Sequence, residues 1–241
     1  MSNSSDGKTG NRVLTIPVGD RVAFENACAD ATISEVVRVA IVHLSGRGGI
    51  TVESTVEPGM PAILAAVQAP VVAVLTGQID DRLLELALAA DIRVCDAGTT
   101  FALTQVSRSE LPSDGGTQRL PRIVGSGFAA DMLLTGRRIT AQEALGVGLV
   151  TEIVVDGTVT GRATEIAGEI SKRGKAAGNL TKEAVLKGAD MPLDQAVRLE
   201  ADLAILLHTD PERSEGIDAF KTRREPDYQR EPGFRRDDPA P

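Results

Sequence analysis

The chain has 241 residues, 42% of them apolar, enough to bury one sizeable core or a core with a small appendage. Its 34 acidic residues against 26 basic ones leave a net charge of −8, and only 2% of residues are aromatic. An acidic chain with few stacking rings is a poor partner for nucleic acid or an anionic membrane.

No apolar run nears the ~20 residues of a membrane helix, and the polar start "MSNSSDGKTGN" lacks a signal-peptide pattern, so a soluble, cytoplasmic protein is expected. Two cysteines, Cys28 and Cys95, are too few for a disulfide framework and read as small buried hydrophobes.

In chain order, "RVLTI" (12–16) predicts a short strand and "GDRVAFENACADA" (19–31) a helix with Asp20 near its N-cap. "VVRVAIVHL" (36–44) is a β-branched strand, followed by the glycine cluster Gly46, Gly48 and Gly49. "GMPAILAAVQ" (59–68) predicts a helix, and "PVVAVLTG" (70–77) an apolar strand buried on both faces. A helix over 80–90 opens on Asp80, Asp81 and Arg82. Carboxylates there are expected to accept from the unpaired N–H groups and face the positive end of the dipole. "DIRVC" (91–95) and "TTFAL" (99–103) read as strands, 104–125 as a loop running into a short helix, and "FAADMLLTG" (128–136) as a helix. Thr140 and Glu143 have capping-box spacing, and "LVTEIVV" (149–155) is the last strand. From 158 onward every periodic segment is helical. The pattern predicts an α/β core over 12–157, a helical region over 158–228, and disordered tails at 1–11 and 229–241.

Little in this chain spells out a reaction by itself. His43, His208, Cys28 and Cys95 show no ligand spacing, so no metal is expected. Ser113, His208 and Asp114 can be written as a hydrolase triad, but no nucleophile elbow surrounds any serine. His208, on the apolar periodicity of "LAILLH", reads as a packed or helix-terminal residue, and His43 inside a strand reads the same way. The glycine cluster follows a strand and could present backbone N–H groups to an anion, but it lacks both GxGxxG and the P-loop lysine, so a plain turn is the preferred reading. Glu85 is more informative: it projects from a helix of leucines one turn beyond Asp81. A carboxylate in apolar surroundings gains proton affinity, which suits general acid–base work; a paired or solvated surface glutamate is the other reading.

Three longer stretches go further. "PVVAVLTGQIDDRLLELALAADIRVCDAGTTFAL", "LPSDGGTQRLPRIVGSGFAADMLLTGRRITAQEALGVGLVTEIV" and "EGIDAFKTRREPDY" closely resemble the enoyl-CoA hydratase/isomerase (crotonase) superfamily over residues 36–228. The resemblance implies a crotonase-like α/β spiral of ββα units with a helical C-terminal oligomerisation region, assembled as a homotrimer or hexamer. It implies an acyl-CoA ligand, with CoA part of the substrate and no separate cofactor. Two backbone N–H groups would hold the thioester oxygen as it becomes an enolate. One would come from Gly48 or Gly49 in the glycine turn, the other from Arg82 at the start of the helix.

The sequence departs from the family at that site. Asp81, Arg82 and Leu83 stand where relatives carry a run of glycines. Glu85 matches the first of the two glutamates that hydratases use on water, but the second falls on Gln105, which cannot take a proton. Ser113 replaces a glycine, with Asp114 beside it. Lys221, Arg223 and Arg224 match the basic segment that reaches CoA phosphates, where a surface charge run is the alternative. The expectation is an acyl-CoA-processing enzyme with a modified oxyanion hole, an isomerase, hydrolase or atypical hydratase. Glu85 would be its acid–base group, and Asp114 or Asp81 a second carboxylate. The charged turn at 80–82 is expected to narrow or close the pocket. The rival is a non-catalytic acyl-CoA-binding or partner-supporting homologue; a serine hydrolase on the related Clp-protease-like spiral ranks below both.

Overall fold

The computed structural model describes residues 12–46 and 56–228. Both polar tails and the glycine turn with Gly48 and Gly49 lie outside the described residues. In chain order come β1 (Val13–Ile16), α1 (Arg21–Ile33), β2 (Val39–Gly46), α2 (Met60–Ala65), β3 (Val71–Asp80), α3 (Asp81–Ala87), β4 (Ile92–Asp96) and β5 (Thr100–Ala102). Then follow α4 (Gly116–Val124), α5 (Ser126–Thr135), β6 (Ile139–Thr140), α6 (Ala141–Gly146), β7 (Glu152–Val154) and α7 (Val159–Ser171).

β1, β2, β3, β4 and β7 lie side by side in that order, every neighbouring pair parallel. Alternate residues of these strands point to opposite faces. Ala40, Val42, Leu44, Val71, Ala73 and Leu75 enter the main core with Phe24, Met60 and Leu84. Val39, Ile41, Val72, Val74 and Val94 face the other way, against Val159, Ala163 and Ala167 of α7. The helix residues recur every fourth position, so one small-residue stripe covers the second face of the sheet. Both faces are buried, which is why these strands are continuous apolar runs.

The sequence pattern starts the helical region at 158, whereas α7 belongs with the sheet it covers, and the contacts divide at 170/171. Periodicity alone could not show that α7 packs on strands.

β3 also changes partners along its length. Up to Gly77 it pairs with β2; Gln78 to Asp80 pair with β5, itself antiparallel to β6. At the switch Gly77 has φ +75 and lies opposite Gly46. A Cβ on Gly77 would sit 2.0 Å from the Gly46 carbonyl oxygen, and one on Gly46 1.6 Å from that of Gln78. Only glycine permits both the approach and the turn. The chain then enters α3 at the edge of the smaller sheet.

α3 is shorter than its apolar pattern suggests, ending at Ala87 rather than residue 90. The buried Arg93 guanidinium bonds the carbonyls of Ala90 (2.5 Å) and Leu149 (2.6 Å), and the Asp91 carboxylate accepts from Val71 N (2.7 Å). These contacts turn the chain directly into β4. Asp20 accepts from Val22 N and caps α1, and Thr140 with Glu143 forms the full capping box on α6.

Both thiols are buried, and desolvation pushes Cys28 up to about 11 and Cys95 up to about 12. His43 is exposed on β2 rather than packed, and His208 sits at the end of α9 (Leu193–His208) with Nδ1 2.7 Å from Ala204 O.

Residues 171–228 form a second unit, with α8 (Lys175–Gly188) packed on α9, followed by α10 (Pro211–Thr222). Neither α8 nor α9 has a buried residue in the single chain, and Leu193, Val197, Ile205 and Phe220 are exposed. No helix among the described residues is long and apolar enough to cross a membrane.

Candidate active site

A cavity of about 530 Å³ opens where α3 meets the segment after β5. α3 contributes Asp81, Arg82 and Glu85. A 3-10 turn (Gln105–Arg108) supplies Gln105 and Arg108, and the loop beyond it Glu110, Leu111 and Ser113.

Glu85 is 1% exposed, and its Oε1 accepts from the backbone N–H groups of Asp114 (2.8 Å) and Gly116 (2.9 Å). Those donors lie at the start of α4, whose own N-cap, Gly115, offers no side chain. Glu85 thus serves as a tertiary cap there. A Cβ on Gly116 would come within 3.1 Å of Glu85 Oε1, so the glycine makes room for the carboxylate. Oε2 has no partner among the described residues and is not sealed from solvent, which leaves it open to the cavity. Desolvation raises the Glu85 pKa above the usual glutamate range; the two N–H bonds work against this, and the charges of Asp114 and Asp81 add to it.

Asp80 and Asp81 do not cap α3 as expected. Asp80 pairs with both terminal nitrogens of Arg138 (2.7 and 2.6 Å), and α3 receives no side-chain cap bond. Asp81, 3% exposed, accepts from Thr104 N (2.6 Å), Thr104 Oγ1 (2.9 Å) and Arg108 Nη2 (2.9 Å). Its φ is +46, a left-handed conformation that aspartate tolerates better than most residues. The long-range partners outcompete local capping, and the first N–H groups of α3, including that of Arg82, keep no side-chain acceptor.

Asp81 therefore lines the cavity with both oxygens engaged, unlike a free second acid. Asp114 turns away: Oδ1 accepts from Gly59 N (3.0 Å), Oδ2 is buried without a hydrogen bond, and the residue is absent from the lining. Its backbone N–H is what serves Glu85.

Arg82 lines the cavity without closing it against Asp80 or Asp114, and bonds no described residue. Gln105, 6% exposed, stands on the opposite segment, its Oε1 buried and unpartnered. Ser113 lines the cavity, but no histidine does, so the triad is not assembled there. Gly48 lies outside the described residues.

In the second unit Arg224 is paired with Glu215 through both terminal nitrogens (2.5 and 2.9 Å). Lys221 and Arg223 are exposed at the end of α10.

Sequence reasoning missed Thr104, Arg108, Glu110 and the role of Gly116. The spacing of Thr104 and Arg108, four apart, and the Gly115–Gly116 doublet were the available signals, in a segment whose lack of periodicity read as loop.

A model of the family described as enoyl-CoA hydratase/isomerase matches residues 50–231. Over 166 residues the chain is 34% identical to the crotonyl-CoA hydratase of Syntrophomonas wolfei, covering 69% of this chain and 64% of that one, so it spans less than two thirds of that relative. The bovine mitochondrial protein called enoyl-CoA hydratase domain-containing protein 2 is 33% identical over 221 residues, covering 90% of this chain and 72% of that protein. Among solved structures, an enoyl-CoA hydratase from Bacillus anthracis superposes with a TM-score of 0.77 at 30% identity, covering 89% of this chain and 90% of that one.

Proposed function

Because the chain belongs to the enoyl-CoA hydratase/isomerase family, we propose that it shifts a proton along an acyl-CoA thioester, an isomerase-type reaction with Glu85 as its single acid–base group. The observation that carries this is the state of Glu85: buried, oriented through one oxygen by two N–H groups, with the other oxygen open to the cavity.

A carboxylate whose proton affinity is raised by desolvation is a stronger base than a solvated one and can return the proton it takes. Oε2 accepts a proton from one acyl carbon, the electron pair moves into the thioester as an enolate, and the same carboxyl delivers the proton two carbons away. One acid suffices because the proton it removes from one carbon is the proton it returns to the other. Adding water would need a second group to orient or protonate, and Gln105 holds that place. The enolate oxygen would meet the N–H of Arg82, which has no side-chain acceptor, with Gly48 as the second donor. Lys221 and Arg223 remain the proposed phosphate contacts, the ligand needs no cofactor beyond its own CoA, and the exposed apolar residues of α9 fit burial in a homotrimer or hexamer.

The test is conversion of 3-butenoyl-CoA to crotonyl-CoA, followed by the absorbance of the conjugated enoyl group. Glu85→Gln should lower turnover about 10²- to 10⁴-fold. Hydration of crotonyl-CoA outpacing isomerisation would overturn the reaction assigned.

Gln105 without a titratable group and Asp81 without a free oxygen favour a second reading, a non-catalytic acyl-CoA-binding homologue. It predicts a dose-dependent rise in melting temperature with crotonyl-CoA, no turnover, and the same shift in Glu85→Gln.

A further inference from the structure

We infer that the cavity takes an acyl group ending in a carboxylate, and that the Arg82 guanidinium recognises it; this rests on the thioester reading above. Arg82 stands three residues before Glu85 on α3, so the two side chains leave the same helix face, and both line the cavity. Arg82 is partly buried and has no hydrogen bond or ion pair with any described residue.

The other cation of the wall, Arg108, is committed to Asp81 at 2.9 Å and Glu110 at 3.2 Å. Of the lining acids, Asp81 and Glu110 are both bridged to Arg108, and Glu85 is held by the N–H groups of Asp114 and Gly116 and makes no ion pair with Arg82. Arg82 is the lining charge left without a counterion among the described residues.

Two further features agree. Gln105 presents a donor, since its Nε2 has no acceptor and, unlike Oε1, is not sealed off. A plain alkyl group gains from an apolar wall, yet the one apolar residue among the described lining, Leu111, is 74% exposed. A carboxylate would receive paired N–H bonds from the guanidinium and one from the carboxamide. The anion belongs to the acyl end and not to CoA. Arg82 lies one turn from the acid that must reach the acyl carbons, whereas the phosphates of CoA are a whole pantetheine arm away.

The test is calorimetric titration with valeryl-CoA and glutaryl-CoA, saturated thioesters of equal chain length that differ only in a terminal methyl or carboxylate. Glutaryl-CoA should bind about tenfold tighter or more, a preference that Arg82→Gln reduces to about twofold or less. Since both ligands carry the same CoA, its phosphates cancel in the ratio. The preference should also shrink in the unmodified protein between about 50 and 500 mM salt, a measurement independent of whether the variant folds. Equal binding, a preference for valeryl-CoA, a preference that survives Arg82→Gln, or one indifferent to salt would overturn the inference while leaving thioester binding intact. Binding of neither ligand would overturn the thioester reading itself and this inference with it.

Discussion

Asp81 and Glu85 stand one helical turn apart on α3, are almost equally buried, and line the same cavity, yet they are in opposite states. The Asp81 corner is closed: two donors from Thr104 and a guanidinium occupy its oxygens. The Glu85 corner is half open, with one oxygen on two backbone N–H groups and the other facing the cavity. Burial alone does not make a carboxylate reactive. What separates the two is whether a full charge compensates it and whether a lone pair is left over.

The sharpest way to break this contrast is to remove each acid in turn. Glu85→Gln should give the largest effect, the loss of turnover described above, without loss of fold. Its stability should also move with pH in a direction the raised pKa dictates. An acid with a raised folded-state pKa gives stability that is complete below the ordinary glutamate value of about 4.3 and is lost as pH rises through the raised value. The variant has no such loss, so its melting temperature relative to the parent should climb as pH rises from about 4 toward neutrality. A constant difference, or one that falls, would mean that desolvation does not dominate at Glu85.

Asp81→Ala should act on stability instead. It strands the Thr104 N–H and hydroxyl and places alanine at φ +46, together costing about 2–4 kcal/mol in urea unfolding. Asp81→Asn keeps the left-handed tolerance and an acceptor and should cost less than half of that. If alanine costs under about 0.5 kcal/mol, the closed corner is not a lock.

The smallest effect belongs to Glu110→Gln. Its bond to Arg108 joins two side chains about half exposed, so stability should change by no more than about 0.5 kcal/mol. A larger loss would extend the buried network outward to the cavity rim.

What could be read from the linear chain follows from how local each signal is. The apolar strand 70–77, the cap at Asp20 and the Thr140–Glu143 box depend on neighbours a few residues away, and all three stand in the structure. Glu85 could be singled out because its leucine surroundings are on the same helix. Arg108 and Thr104 could not, because their relation to Asp81 spans more than twenty residues and an irregular loop. The expected capping by Asp80 and Asp81 failed for the same reason: Arg138, 58 residues away, and Thr104 offered stronger or better-buried partners than the helix's own N–H groups.

By itself, then, the sequence determined the apolar strands and the family, and it drew attention to Glu85 among its leucines, since hydrophobic period and residue type are properties of short segments. Only the tertiary structure decided which carboxylates are occupied and which has a free oxygen. It also decided that α7 covers the sheet and that Arg82 faces a cavity instead of a partner. Those outcomes depend on competition among hydrogen-bonding groups brought together from distant parts of the chain, where the better geometry and the greater desolvation win.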